Sequence, residues 1–132
     1  MGVAYTLDCR QCSYNHKAFL GIGFNYINLK TILEWYEQEE GRQQIIKYMN
    51  EEDVHFECYD GLYVCEQCGY LLNRTFLHLI SKDYSYINSY DCPRCHVQMP
   101  QKPLLDEIEE NSLRCPDCEE EKLEIQSYMD WD

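Results

Sequence analysis

Basic residues are scarce in this 132-residue chain: 11 lysines and arginines stand against 24 aspartates and glutamates, a formal net charge of −13 at pH 7. Nucleic-acid binding draws most of its affinity from phosphates neutralised by Lys and Arg. No basic cluster occurs, so DNA or RNA contact is disfavoured. Long apolar runs are lacking as well; no stretch approaches the ~18 residues of a membrane span. Met1-Gly2-Val3-Ala4-Tyr5 starts without the basic segment and long apolar core of a secretory leader. The expected location is therefore the cytoplasm, away from the membrane. Catalytic patterns are missing too: there is no Ser-His-Asp arrangement and no His-Glu-x-x-His, and the expectation is that the protein is not an enzyme. The acidic residues fall in runs, Glu37 to Glu40, Asp106 to Glu110 and Glu119 to Glu121. Such runs are solvated surface or, more sharply, a docking face for a basic partner protein.

Cysteine, by contrast, is plentiful. Eight of the nine cysteines form four Cys-x-x-Cys pairs: Cys9/Cys12, Cys65/Cys68, Cys92/Cys95 and Cys115/Cys118. Each pair sets two sulfurs on one side of a tight turn, close enough to grip one ion. Eight thiolates make two tetrahedral four-sulfur sites, for which Zn²⁺ is the usual occupant with Zn–S near ~2.3 Å. In a reducing cytosol, paired cysteines are metal ligands more often than disulfides. A thioredoxin-like redox pair would need a βαβ context, which is absent. Cys92-Pro93-Arg94-Cys95-His96 has the spacing of a c-type haem attachment, but its three sister pairs lack the histidine, so His96 reads as a surface residue. Of His16, His55, His78 and His96, His16 is the best alternate ligand, four residues after Cys12. Cys58, the ninth cysteine, reads as a small buried apolar residue.

Along the chain, Ala4 to Cys9 reads as a strand entering a knuckle, and Ser13 to Leu20 as its return. Leu29, Ile32, Leu33 and Tyr36 form one apolar helical stripe, with Asn28 as N-cap and Gly41 as a stop or kink. Arg42 to Asn50 continues helical, with Ile45, Ile46 and Met49 inward. Asp60-Gly61 between two strand-like runs predicts a hairpin turn. Tyr70 to Ile80 reads as a long strand, and Ser81 to Tyr90 as a loop with a short strand. Leu104 to Glu110 reads as a short acidic helix. Leu123 to Trp131 reads as a final strand with Ile125 and Tyr128 buried. Trp35 and Trp131 are expected as core or edge anchors, since stacking on nucleic acid works together with a positive groove.

On these four knuckles and their strands, about half of the chain, the sequence resembles the zinc-ribbon superfamily, and its layout is similar to small bacterial proteins with several such knuckles. The resemblance implies a small metal-stabilised α+β fold: two zinc-ribbon β units, of rubredoxin-like knuckles, with an inserted helical segment at about 28–50. It implies no assigned activity, and Cys9/Cys12 and Cys115/Cys118 lack the glycine that commonly follows the second cysteine. Two partitions of the knuckles are open. In the favoured one, residues 1–90 hold one ion between Cys9/Cys12 and Cys65/Cys68, and residues 91–132 hold the other between Cys92/Cys95 and Cys115/Cys118. The competing one joins Cys65/Cys68 to Cys92/Cys95 and closes the chain with Cys9/Cys12 and Cys115/Cys118. Loop-closure entropy separates them only mildly. The expected function is a non-enzymatic protein with two structural Zn²⁺ ions that recognises a protein partner. The alternative is a rubredoxin-like iron electron carrier or a metal-handling protein, because four thiolates also accept iron.

Overall fold

The computed structural model describes residues 2–105, 108, 113–119 and 122–131. The expected helix from Leu104 to Glu110 falls largely outside them. Six strands, β1 (Gly2–Asp8), β2 (Asn15–Gly21), β3 (His55–Val64), β4 (Leu71–Ile80), β5 (Ser85–Ile87) and β6 (Glu124–Trp131), form one antiparallel sheet in the order β5-β4-β3-β2-β1-β6. Two helices, α1 (Leu29–Trp35) and α2 (Glu39–Met49), follow a 3₁₀ turn at Phe24–Tyr26. Among the described residues, no helix is long and apolar enough to cross a membrane.

Two of the knuckles are hairpin turns of this sheet. Strands β1 and β2 pair in register from Gly2↔Gly21 to Asp8↔Asn15, so Cys9 to Cys12 lies in the turn between them. Strands β3 and β4 pair from His55↔Ile80 to Val64↔Leu71, which puts Cys65 to Gly69 in the second turn. The two hairpins barely touch through their backbones: β2 meets β3 at the single pair Gly21↔Asp60. Beyond it the free edge of β3 is taken over by Leu104, whose N–H and C=O exchange hydrogen bonds with Leu62 at 2.8 and 2.9 Å. Asn73 clamps the remaining gap. Its side chain accepts from the Phe19 N–H at 2.8 Å and donates to the carbonyls of Phe19 and Gly61.

Asp60-Gly61 is not a turn. Strand β3 runs straight through it, and Gly61 is not among the residues with positive φ. The type I′ turn that Asp-Gly favours would need positive φ at both central residues. Glycine is required for a different reason: a Cβ there would stand 2.4 Å from Pro103 Cγ, on the segment that covers β3.

Asn28 caps α1 as expected, its Oδ1 accepting the Thr31 N–H at 2.8 Å. The break between the helices is at Tyr36–Gln38, ahead of Gly41, which sits in the first turn of α2. Of the residues expected inward on α2, Ile45 is buried, whereas Ile46 and Met49 are both 42% exposed and Tyr48 takes the inner place. The 3.6-residue period explains this: Gly41, Ile45 and Tyr48 share a face that Ile46 and Met49 flank. Tyr128, also expected inside, is 46% exposed on the outer strand β6.

Three apolar clusters result. Leu7, Leu20, Leu62 and Leu123 pack beneath the β1–β2 knuckle together with Cys115. Tyr63, Leu72 and Met99 pack around Cys65 and Cys92. The third, Ile32, Tyr36, Ile45 and Tyr48 against Cys58, Leu77 and Leu79, joins the helices to β3 and β4 without any paired cysteine. Asn88 ties this last cluster together from a fully buried position, donating to the Tyr36 hydroxyl at 2.7 Å and the Thr75 carbonyl at 2.8 Å.

Candidate metal centres

The eight paired cysteines come together as two groups of four: Cys9, Cys12, Cys115 and Cys118 (the outer group), and Cys65, Cys68, Cys92 and Cys95 (the inner group). Within each group every sulfur lies within 4.8 Å of the others, a set that could hold a metal ion. This is the nested partition, not the side-by-side one favoured above, and the assignment of one ion to 1–90 and one to 91–132 is corrected accordingly. The cause is strand pairing. Strand β6 pairs with β1 from Gly2↔Trp131 to Asp8↔Glu124, which delivers the knuckle just before β6 to the knuckle just after β1. With linkers of roughly 53 and 20 residues against 103 and 24, loop closure prefers the side-by-side arrangement by only about 0.8 kcal/mol. Seven residue pairs between β1 and β6, with the apolar cluster beneath them, outweigh that.

The knuckles share one local geometry. The N–H of Cys65 bonds the Tyr70 carbonyl, that of Cys92 the Val97 carbonyl and that of Cys9 the Tyr14 carbonyl, at 2.8–3.1 Å. The residue after the second cysteine donates back to the first cysteine's carbonyl in three of them: Gly69, His96 and Glu119, at 2.9–3.0 Å. That bond demands the left-handed region, and all three comply, with φ of 79°, 66° and 61°. Glycine is thus replaced at the third and fourth knuckles by residues that accept the strain. His96 is exposed there and belongs to neither sulfur group. His16, His55 and His78 likewise lie outside both.

Cross-knuckle Sγ···Sγ distances are 3.5 Å for Cys12–Cys115, Cys65–Cys95 and Cys68–Cys92, and 3.6 Å for Cys9–Cys118. A disulfide holds its sulfurs near ~2.05 Å, whereas a tetrahedron of sulfurs at ~2.3 Å from one ion separates them by about 3.8 Å. The spacing fits an ion, and all nine cysteines are free.

Electrostatics prepares Cys65, Cys92 and Cys115 for ionisation. Burial, the largest influence on Cys92, raises its thiol, but the amides of Cys95 and Arg94 and its thiol neighbours outweigh it and bring it down to about 6. Cys115 comes down to about 7 in the same way, against its burial, through the amides of Cys118 and Asp117. Cys12, Cys68 and Cys95 move oppositely. At Cys68 the Tyr70 amide is the largest influence and lowers the thiol, yet burial and the bonds to Cys92 and Cys65 together push it up to about 12. Four sulfurs this close cannot all ionise unaided. With a divalent cation bound, these thiols would lose that repulsion and their remaining protons.

The two groups are also joined to each other, which the sequence did not announce. Arg94, inside the third knuckle, donates to the Pro116 carbonyl at 2.5 Å and to Asp117 Oδ1 at 3.0 Å, both inside the fourth. Its guanidinium lies 5.2 Å from the centre of the Tyr70 ring, beside the second knuckle. One arginine therefore ties the third turn to the fourth and stands beside the residue that follows the second. Comparisons with protein-family models, curated proteins and solved structures returned no match.

Proposed function

We propose that this protein is a non-enzymatic zinc protein whose two four-cysteine sites are structural and whose role is to present a surface to a protein partner. One observation carries the reading: each sulfur group is complete with four thiols and leaves no ligand position for water or substrate, whereas a catalytic zinc keeps one open. Cys65, Cys92 and Cys115 are buried in the apolar clusters, so an ion held there would cross-link the core. Metal affinity would then act as folding free energy.

Elemental analysis with native mass spectrometry tests the reading. A colourless protein with two equivalents of zinc, whose cooperative melt vanishes on chelation under reducing conditions, supports it. A red protein with visible charge-transfer bands would instead make it an iron electron carrier, and an unchanged melt after chelation would refute a structural role. For the partner, an affinity capture that recovers nucleic acid alone would overturn the interaction role.

A further inference from the structure

A feature that neither sulfur group uses is a cleft of about 930 Å³ between the sheet and the helical segment. Its floor follows from register. Trp131, Gly2, Gly21, Asp60 and Thr75 are successive partners in one row across five strands. Paired residues of antiparallel strands point to the same face, so Trp131, Asp60 and Thr75 line the cleft from one face of the sheet, and the two glycines between them put no side chain on it. The indole of Trp131 lies down over Gly2, where a Cβ would come within 2.3 Å of Cε2. Tyr26, Trp35 and Tyr36 line the cleft from the helical segment. Tyr26 and Trp35 stand 4.8 Å apart between ring centres, and Tyr26 meets Trp131 edge-on at 6.4 Å. Both tryptophans of the chain line this one cleft.

Its charge is carried by two carboxylates, Asp60 and Glu37, against one arginine, the exposed Arg74. Asp60 accepts the Tyr26 hydroxyl at 2.6 Å on one oxygen and the Thr75 hydroxyl at 2.7 Å on the other. A carboxylate has about four acceptor positions, so it is held in place with capacity to spare. Burial, reinforced by Asp60, pushes the Tyr26 hydroxyl well above its usual range and keeps it a donor. Among the described residues, no ion pair involves Asp60 or Glu37. The cation–π contacts fall on Tyr128, Tyr84, Tyr70 and Phe76, none of which lines the cleft. An aromatic-lined cleft with a fixed carboxylate that makes no ion pair among the described residues is an arrangement that suits a weakly hydrated organic cation.

We infer that this cleft is a binding site for an organic cation, a guanidinium or methylated ammonium, carried as a basic side chain by the protein partner. The inference rests on the interaction reading above for the source of the cation, not for the site itself. An anionic ligand would meet two carboxylates and a chain of −13 net charge, and a bare ammonium would lose water that aromatic faces cannot replace.

The test is quenching of the intrinsic tryptophan fluorescence of the metal-loaded protein by tetramethylammonium and by methylguanidinium, with a neutral isostere, neopentyl alcohol, as control. The expected result is saturable binding of the cations, at least tenfold weaker for the isostere. Asp60→Asn, with its metal content and circular dichroism unchanged, should weaken cation binding about tenfold. Equal binding of the isostere, no saturation by about 10 mM, or an unaffected Asp60→Asn would each overturn the site. A basic peptide that binds more tightly than the free cation and competes with it supports the partner's side chain as the source. A peptide no tighter than the free cation overturns that source and leaves the site standing. A peptide that binds without competing upholds the interaction reading and overturns this cleft as its seat.

Discussion

Replacing Cys9 and Cys12 by serine opens the outer sulfur group and leaves the inner one whole. The consequence can be scaled from the connectivity. An ion in the outer group ties residues 103 apart, and one in the inner group ties residues 24 apart. In the chain-entropy account of cross-links, the outer clasp constrains the unfolded chain by about 4.7 kcal/mol and the inner by about 3.5 kcal/mol. Against a total stability of about 5–15 kcal/mol, losing the outer clasp is severe. At a urea m-value near 1.5–2 kcal/mol/M, the midpoint should fall by about 2–3 M. The metal content should drop from two equivalents to one. Hydrogen exchange should locate the damage: amides of β1 and β6, whose ends the outer group fastens, should lose protection, while those of β3 and β4 keep it. The matched variant Cys92→Ser/Cys95→Ser should lose about 1 kcal/mol less and expose β3 and β4 first. Two retained metal equivalents, or lost protection confined to β3 and β4 in the Cys9/Cys12 variant, would refute the nested partition.

Gly41→Ala should destabilise by about 1–3 kcal/mol in thermal or urea melts, although helix propensity favours alanine by about 1 kcal/mol. The reason is the buried ring of Tyr36, whose Cε2 would lie 2.4 Å from the new Cβ; a stabilised variant would show that the ring gives way. Burial, with the charge of Asp60 second, pushes the Cys58 thiol from 9.0 up to about 12. The folded value lies above the unfolded one, so its contribution is whole below pH 9 and is lost as pH rises toward 12. Wild-type stability should therefore fall more steeply than that of Cys58→Ala between pH 9 and 11, by at most about 1.4 kcal/mol per pH unit; equal slopes would count against it. Arg94→Ala cuts the contact between the third and fourth knuckles. Because the side chains of Arg94 and Asp117 are 38% and 51% exposed, the stability loss should stay near 1 kcal/mol. Chelator competition should nonetheless show the two metal equivalents leaving further apart than in the wild type.

What the amino-acid sequence determined by itself is local. A Cys-x-x-Cys turn sets two sulfurs side by side whatever surrounds it, so all eight candidate ligands were readable one knuckle at a time. The Asn28 cap and the strand after Gly69 are local in the same sense, each depending on a few neighbouring residues. Asp60-Gly61 marks where this ends: the dipeptide suits a tight turn, yet Pro103, Leu104 and Gly21, all remote in sequence, hold it extended in β3. Tertiary structure alone decided which knuckles come together as a four-sulfur group. Chain entropy separates the two partitions by less than a kilocalorie, and the pairing of the first strand with the last is a long-range contact that no short window of sequence encodes. The aromatic cleft has the same origin. Trp35 and Trp131 are 96 positions apart, and both reach Tyr26 and the one cleft only through the long-range packing of α1 and β6.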